Sequence, residues 1–226
     1  MATRLILLDV TDSTQDVARA EYDGSPTLVV AARQTRGRGR SGREWETAPR
    51  AVACSLAFEP GWQPDRLPLL PAVAALAVAD VWPESAIKWP NDILLGDEKV
   101  AGILTETSDG VTVVGVGANL WWPDRPAGRA ARFAEDPGPD AAARFAEAWA
   151  STFLRRVGSG PGGWGVEEYR ARSWLQGRVV EWEPDGRGIV RGVGDDAALL
   201  VEVDGEERRL VSGEVRAVRP AGAGEA

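Results

Sequence analysis

Apolar residues recur along the chain at two spacings, which divide it into predicted helices and strands. Helical spacing predicts helices from Ser13 to about Tyr22 and over residues 67–82, 140–157 and 166–175. Strand-like apolar runs, several of them separated by tight turns, predict a mixed, mainly antiparallel sheet in an α+β fold. The predicted strands of this first part cover residues 4–8, 27–32, 51–58, 86–88, 92–95, 99–107 and 111–117.

The pattern changes at Gly177, after which short strands and turns replace helices. Turns at residues 184–186 and 204–205 separate four predicted strands. Roughly forty residues are few for independent stability, so we expect a small β-barrel packed on the preceding domain. The predicted organisation is a larger domain over residues 1–176, a small β-domain over 177–219 and a disordered tail over 220–226.

The composition is that of an ordinary globular protein, with 226 residues, 44% of them hydrophobic and 27% charged. No apolar run approaches the roughly 18 residues that a membrane span needs. Residues 1–8 also lack the layout of a signal peptide. We therefore expect a cytoplasmic protein with no membrane partner.

The chain contains no histidine and one cysteine. The missing histidine excludes Ser-His-Asp triads, Cys-His pairs and histidine-ligated metal sites. Cys54 lies in an apolar, strand-like run and is predicted to be a buried spectator thiol. Chemistry must therefore rely on carboxylates, lysines, arginines and backbone amides.

Residues 36–43 follow a predicted strand and combine four arginines with three glycines. Glycine lets the backbone approach a ligand closely, and the arginine fork matches carboxylate and phosphate oxygens. Taken alone, such a run is more typical of a solvated basic segment or a nonspecific nucleic-acid contact. The net charge of −8 argues against a general nucleic-acid binder, so a local site for a small anionic ligand is the better interpretation.

A second polar stretch, residues 88–92, reads Lys-Trp-Pro-Asn-Asp, and Lys99 follows Asp92 by seven residues. A predicted hairpin brings Asp92 and Lys99 close together. Alone, this would be an ordinary surface ion pair. The order of the motifs is more informative: Gln34, the arginine loop and Trp45 come first, then residues 88–92 and 99–106, and then Gly115-Val116-Gly117-Ala118-Asn119.

These motifs, in this order over roughly residues 9–120, closely resemble those of the biotin protein ligases. The resemblance implies the class II synthetase-like fold of the biotin and lipoate ligases. Residues 212–215, Ser-Gly-Glu-Val, resemble part of the family's C-terminal SH3-like domain.

The resemblance also implies a two-step, ATP-dependent reaction with Mg²⁺. Biotin is activated as biotinyl-5′-AMP and then joined to a lysine of the biotin carboxyl carrier domain of an acetyl-CoA or acyl-CoA carboxylase. The first step brings two anions together, so cations and positioning suffice and no protein nucleophile is needed. A site without histidine is compatible with that chemistry.

The family's functional residues carry over to matching positions of this chain. Catalytic roles are implied for Lys99, Arg40, Asp92 and Arg43, with Asp92 near Mg²⁺. We add the hypothesis that Asp92 also orients the incoming lysine amine. The implied biotin site comprises Ser13, Thr14, Gln34, Gly37, Arg38, Trp45, Lys99 and Gly102. The implied ATP and adenylate site comprises Arg38, Gly39, Arg40, Gly42, Arg43, Lys88, Asn91 and Asn119.

Alternatives remain open at this point. Ser13 is as well explained as a helix cap as by ligand binding. A lipoate or octanoate ligase of the same superfamily and a noncatalytic biotin-binding paralogue are the rival functions. Gln15 stands where the family commonly has asparagine, and residues 46–50 also depart from its pattern.

The resemblance bears on partners as well. The few residues before Leu5 leave no room for the winged helix of the family's repressors, so we expect no nucleic-acid partner. A homodimer is among the oligomeric states that the family resemblance suggests.

Overall fold

The computed structural model describes residues 3–42, 47–126 and 130–218. Seven strands form the first sheet, in the order β1-β2-β3-β7-β6-β5-β4. Strands β1 and β2 are parallel, and each of the other neighbouring pairs is antiparallel, which confirms the predicted mixed, mainly antiparallel sheet. The strands are β1 (Arg4–Thr11), β2 (Thr27–Gln34), β3 (Arg50–Phe58), β4 (Ala86–Lys88), β5 (Asp92–Leu95), β6 (Glu98–Ser108) and β7 (Val111–Trp121).

Helices cover the two faces of this sheet. The short helix α1 packs on β2, β3 and β7 on one face, while α3 packs on β2 and β3 and α2 on the strands from β4 to β6. The helices are α1 (Thr14–Ala20), α2 (Leu70–Val81), α3 (Ala141–Gly158) and α4 (Val166–Ala171). In the described ranges no helix combines the length and the apolar character that crossing a membrane requires.

Two predicted helices differ in their bounds from the observed ones. The segment Pro64–Leu69 forms a 3-10 turn before α2, because Pro68 and Pro71 lack the backbone N–H that a regular helix needs. Helix α4 ends at Ala171 instead of continuing to 175. Trp174 donates its backbone N–H to Ile87 at 2.9 Å, so this segment pairs with β4 instead of extending the helix.

The main core lies between the sheet and the layer of α2 and α3. Phe153 meets Phe58 edge-on at 5.4 Å and stacks on Trp149 at 5.6 Å between ring centroids. A smaller apolar cluster under α1 contains Ala18 and Val29 on the opposite face. Both faces of the central strands are therefore buried, which explains why their sequences read as nearly continuous apolar runs.

The C-terminal part forms a second sheet, in the order β11-β10-β9-β8-β12. We predicted a closed barrel, and this is not what the described chain shows: the sheet is open, with β11 and β12 at its two edges. After β11 the chain crosses at residues 211–214 to the edge of a cavity beside the first sheet, and β12 is only three residues long. The strands are β8 (Val179–Trp182), β9 (Gly186–Val193), β10 (Leu199–Val203), β11 (Glu206–Leu210) and β12 (Val215–Ala217).

Side chains of the first part hold the second sheet in place. The indole N–H of Trp89 donates to the carbonyl of Ala197 at 2.9 Å, and that of Trp164 donates to Asp195 at 2.8 Å. The guanidinium of Arg170 donates to the carbonyl of Val193 at 2.7 Å. All three bonds end near the turn between β9 and β10, which is thereby tied to the first part of the chain.

Candidate active site

A cavity of about 500 Å³ lies on the sheet face that carries α1, in the size range of small-molecule sites. Along β7, the side chains of Val114 and Val116 belong to the main core, so the alternating positions Gly115 and Gly117 lie on the other face, which they leave without side chains. Gly102 of β6 lies opposite Gly117 in register. The hollow exists because small residues on adjacent strands leave the sheet face bare.

The closed end of the cavity is lined by neutral polar groups around the start of α1. Gln34, at the end of β2, accepts hydrogen bonds from the Thr14 backbone N–H at 2.7 Å and the Thr14 hydroxyl at 2.9 Å. The Thr14 hydroxyl also lies 2.8 Å from that of Ser55 on β3. Because the Thr14 proton is given to Gln34, Ser55 acts as the donor to Thr14, and the three side chains form one ordered chain.

Ser13 occupies the N-cap position of α1, yet its side chain makes no capping hydrogen bond. It is 4% exposed and lines the cavity. The geometry therefore does not support the capping alternative for this side chain.

Gln15 is a cavity residue to which the sequence assigned no role. Its amide N–H donates to Glu106 at 3.2 Å, which fixes the orientation of the amide because a carboxylate only accepts. Its carbonyl oxygen is buried without a hydrogen-bond partner, and a Cβ at Gly115 would lie 3.2 Å from it. Gly115 therefore provides the space that the longer side chain of Gln15 occupies.

The arginine loop is held by side-chain contacts to neighbouring elements. Arg38 donates to both carboxylate oxygens of Asp16, at 2.8 and 3.2 Å, and lies 3.4 Å from Glu106. Arg40 donates to the side-chain oxygen of Asn91 at 3.2 Å and to the carbonyl of Gly213 at 3.5 Å. The two guanidiniums therefore point to different places, Arg38 to α1 and Arg40 to the far end of the cavity.

Lys99 and Asp92 form the polar centre of the site, as the predicted hairpin of β5 and β6 required. The Lys99 ammonium lies 2.6 Å from Asp92, and the two side chains are 30% and 23% exposed. Asn91 lies in the turn directly before Asp92. Its backbone carbonyl accepts the Ile103 backbone N–H at 3.0 Å, and its side-chain N–H donates to the Ile103 carbonyl at 2.9 Å. Backbone pairing thus fixes the turn that presents Asp92 to the cavity.

Asn119, near the end of β7, is 2% exposed and lines the cavity. Its side-chain oxygen accepts the backbone N–H of Ala48 at 3.3 Å. With its oxygen used in this way, the side-chain NH₂ is oriented away from Ala48.

The C-terminal sheet contributes part of the wall. Glu214, Val215 and Arg216 line the cavity, which makes the catalytic pocket a joint product of both sheets.

Most of the predicted site residues meet in this one cavity. Gly37 and Gly42 belong to the described part of the loop but do not line it, and Gly42 has a φ of +72°, which favours glycine. Arg43 and Trp45 lie outside the described residues. The predicted residues that line the cavity are Ser13, Thr14, Gln34, Arg38, Gly39, Arg40, Lys88, Asn91, Asp92, Lys99, Gly102 and Asn119.

The predicted Mg²⁺ has a limited set of protein ligands here. The described residues contain no group of three or more histidine, cysteine, aspartate or glutamate side chains that would hold a metal. Mg²⁺ is usually bound through one or two carboxylates together with substrate phosphates. Asp92 fits that mode, in which the nucleotide supplies the other ligands.

Cys54 is buried at the base of the cavity. Burial raises the pKa of its thiol to about 12, against a smaller opposing effect of a hydrogen bond with the Val116 backbone. A thiol in that state is a poor nucleophile, which agrees with the prediction of a buried spectator.

The fold and the site together define a class of protein: a mixed sheet flanked by helices, with a pocket that is polar at one end and cationic at the other. The chain belongs to the biotin/lipoate A/B protein ligase family, whose model matches residues 7–120. Within that family, its similarity is to the biotin protein ligases.

Three relatives illustrate the similarity. The biotin–[acetyl-CoA-carboxylase] ligase of Mycobacterium tuberculosis is 33% identical, over 87% of this chain and 80% of the relative. The bifunctional ligase/repressor BirA of Bacillus subtilis is 40% identical, over 53% of this chain and 41% of the relative. The structure of the biotin protein ligase from Aquifex aeolicus in complex with biotin and ATP has a TM-score of 0.81 and 26% identity, covering 96% of this chain and 99% of that one. The chain thus spans less than half the length of the Bacillus relative but nearly all of the Aquifex structure.

Proposed function

We propose that the protein is an ATP-dependent biotin protein ligase that forms biotinyl-5′-AMP and transfers the biotinyl group to a lysine of a biotin carboxyl carrier domain. The observation that carries the proposal is the polarity of the cavity. A neutral, hydrogen-bonding end at Thr14 and Gln34 suits a ureido ring, and a cationic end at Arg40 and Lys99 suits a carboxylate and phosphates.

The proposed roles follow from what each side chain already does. Thr14 occupies the oxygen of Gln34 with two hydrogen bonds, which leaves the Gln34 NH₂ to donate to a ureido carbonyl. Lys99 holds the biotin carboxylate, and Arg40 stabilises charge on the phosphates as the carboxylate oxygen attacks the α-phosphorus and pyrophosphate leaves. Asp92 would hold Mg²⁺ together with the nucleotide phosphates, whose charge the ion would neutralise.

In the second half-reaction, Asp92 is proposed to orient the incoming lysine amine. Its present partner is Lys99 at 2.6 Å, so a carboxylate or acyl-phosphate that binds Lys99 competes for that ammonium. Asp92 would then be available to a second amine. An Asp92→Asn protein is expected to transfer biotin from preformed adenylate more slowly than the parent, and transfer at the parental rate would refute this role.

The C-terminal sheet is proposed to be the SH3-like module of the family, in an open form. It closes the nucleotide end of the cavity through residues 213–216, where Arg40 reaches the Gly213 carbonyl. The predicted domain boundaries at 176/177 and 219/220 and the cytoplasmic location remain predictions.

A homodimer is also retained as a proposal. Strand β1 is the edge of the first sheet and exposes Leu5 and Leu7 to 40% and 62%. Exposed apolar residues on an open strand edge are suited to pairing with a second copy. Analytical ultracentrifugation of the parent beside a Leu7→Lys variant tests it, since a monomeric parent would end the proposal.

The experiment that tests the function is mass spectrometry of a purified biotin-carrier domain incubated with this protein, Mg·ATP and either biotin or lipoate. A gain of the biotinyl mass, lost in Lys99→Ala, is expected. A gain with lipoate alone would establish the lipoate ligase instead. If neither acid is attached, free biotinyl-AMP in the sample would identify an unsuitable acceptor, and its absence would favour a noncatalytic biotin-binding protein.

A further inference from the structure

A second cavity, of about 240 Å³, adjoins the catalytic cavity. It lies between the start of α2 and the crossing at residues 211–214. Six residues face both cavities: Arg40, Trp89, Pro90, Asn91, Ile103 and Leu104. The second cavity therefore reaches the phosphate end of the site from a different side of the protein.

The outer walls of this second cavity are mostly apolar. Pro68, Pro71 and Ala72, around the start of α2, and Val211, in the crossing, are among its lining residues. Val211 is 77% exposed, the largest value among the exposed large hydrophobic residues of the described chain. Such walls suit an aliphatic chain better than a nucleotide or a polar ring.

A carboxylate stands within these apolar walls. Asp196 is held by Arg209 at 2.7 Å and accepts the Ala198 backbone N–H at 3.1 Å. Burial opposes ionisation of this carboxyl, but its bonds to Arg209 and Ala198 keep its pKa below the usual range, so it stays charged. An aliphatic chain that ends in a cation matches this combination of surfaces.

The wall shared with the catalytic cavity is closed by side chains. Arg40 spans it through two long hydrogen bonds, 3.2 Å to Asn91 and 3.5 Å to the Gly213 carbonyl. Long hydrogen bonds of a flexible side chain are weak, so a group that enters from the second cavity can displace them.

The proposed reaction needs such an entrance. Biotin and the nucleotide together occupy the first cavity, yet the third reactant must bring a nitrogen within about 3–3.5 Å of the acyl carbon. We propose that the second cavity admits the side chain of the acceptor lysine, with its methylenes between Pro71 and Val211 and its nitrogen directed past Asn91 to the adenylate. This inference rests on the proposed ligase function.

The transfer step conserves atoms and electrons. The lysine ammonium first loses one proton to solvent, and the neutral nitrogen then forms a C–N bond to the acyl carbon. The bond from that carbon to the phosphate oxygen breaks, AMP leaves with the electron pair, and the nitrogen releases a second proton. The products are the amide and AMP, and no oxidant or reductant takes part.

Two variants that narrow the entrance test the inference. Val211→Trp and Pro68→Trp each place a large ring at an exposed residue that lines the second cavity. We expect biotin-dependent ATP–pyrophosphate exchange to stay within about twofold of the parent, because the first cavity is untouched. Single-turnover transfer from the enzyme-bound adenylate to a carrier domain should fall by about tenfold or more.

Two controls make the result specific. Arg144→Trp adds the same ring on helix α3, at a side chain that is 65% exposed and lines neither cavity, and both half-reactions should be unchanged. Hydroxylamine, a nucleophile much smaller than lysine, should react with the adenylate equally fast in Val211→Trp, in Pro68→Trp and in the parent.

The possible failures are distinguishable. The proposed lysine entrance would be refuted if both Val211→Trp and Pro68→Trp transferred biotin to the carrier at the parental rate. It would also be refuted if pyrophosphate exchange and transfer fell equally. Neither result would contradict the proposed ligase function. A parent protein without biotin-dependent exchange would instead overturn the proposed function, and the entrance with it.

Discussion

Arg40 stands where three separate segments of the chain meet. Its guanidinium joins the arginine loop to the Asn91 turn and to the Gly213 carbonyl at the start of the last strand. This side chain therefore couples the arginine loop to the C-terminal crossing, and closing of the loop over a bound adenylate would use that contact.

Replacement of Arg40 by glycine should release the reactive intermediate. A mixed anhydride that is exposed to solvent acylates any nearby amine, so Arg40→Gly should increase biotin labelling of a noncognate protein such as serum albumin by about tenfold. Streptavidin blotting measures the label. Arg36→Gly is the matched control, because the Arg36 side chain is 82% exposed and lies 4.0 Å from Asp12. Equal labelling by parent and Arg40→Gly would contradict the proposed role of closure.

Cys54 yields a prediction that does not depend on the ligand. Since burial raises its pKa to about 12, only about one thiol in ten thousand is ionised at pH 8. Iodoacetamide should leave the native protein unmodified at that pH and modify one cysteine after denaturation, as read by mass spectrometry. Rapid labelling of the native protein would show that the thiol is accessible and ionised.

At the scale of single residues, the sequence predicted the charged groups better than the neutral ones. Arg40, Asp92 and Lys99 stand in motifs whose spacing can be read directly. Ser55 and Gln15 could not be found in this way, because Ser55 meets a partner 41 positions away and Gln15 one 91 positions away. The available signal was the pair Gly115 and Gly117 at alternate positions of β7, which marks a sheet face with room for a ligand.

At the scale of elements, an ion-pair network joins three helices. Asp80 of α2 accepts hydrogen bonds from Arg156 of α3 at 2.7 Å and from Arg172, which follows α4, at 2.9 Å. Arg156 also reaches Glu168 of α4 at 2.5 Å. The side chain of Arg156 is only 13% exposed, so these carboxylates compensate a charge that is largely buried.

Asp80→Asn should lower stability at neutral pH by about 1–3 kcal/mol. Burial alone would raise the Asp80 pKa, but the two arginines outweigh it and hold the pKa below its usual value. The stabilisation is therefore complete above the unfolded-state pKa of about 3.9 and is lost as the pH falls through the lower folded-state value. Urea unfolding between pH 3 and 7 should show the parent and the variant converging in acid.

Asp65→Asn serves as the control for that series, because Asp65 is 73% exposed and pairs with Arg66 at 3.5 Å. Its unfolding curve should match that of the parent at each pH. A constant difference between the parent and Asp80→Asn at all pH values would show that ionisation of Asp80 is not the cause of the stabilisation.

The elements themselves were largely predictable, and the exceptions have identifiable causes. Helix α4 stops early because Trp174 pairs with β4, a contact across the fold that helical spacing does not reveal. Strand β12 was missed because three residues are too short to show an alternation. Local patterns therefore predict where an element begins more reliably than where it ends, because tertiary contacts determine the end.

At the scale of the whole molecule, the open C-terminal sheet is the main difference from the prediction. Counting strands suggested a barrel, but the chain after β11 crosses to the catalytic cavity and leaves β11 and β12 at opposite edges. No local sequence pattern shows that the chain leaves the sheet open and contacts the site instead. The consequence is that the C-terminal part lines the candidate site through Glu214, Val215 and Arg216.

Trp89 is the link between that sheet and the catalytic turn. It is 4% exposed, its indole N–H donates to Ala197 at 2.9 Å, and it lies between Lys88 and the residues Asn91 and Asp92. Phenylalanine keeps much of the packing but removes the donor, so Trp89→Phe should cost about 1 kcal/mol. For a chain of this size, that corresponds to a fall of about 2–4 °C in Tm.

The kinetic effect of Trp89→Phe should be selective. Since Lys88 and Asn91 belong to the predicted nucleotide site, the KM for ATP should rise more than the KM for biotin, whose end of the cavity lies at Thr14 and Gln34. Trp174→Phe is the matched control, because it removes an indole hydrogen bond of the same 2.9 Å length to Asp97 at the exposed surface. If both variants changed the two KM values alike, the coupling of the second sheet to nucleotide binding through Trp89 would be refuted.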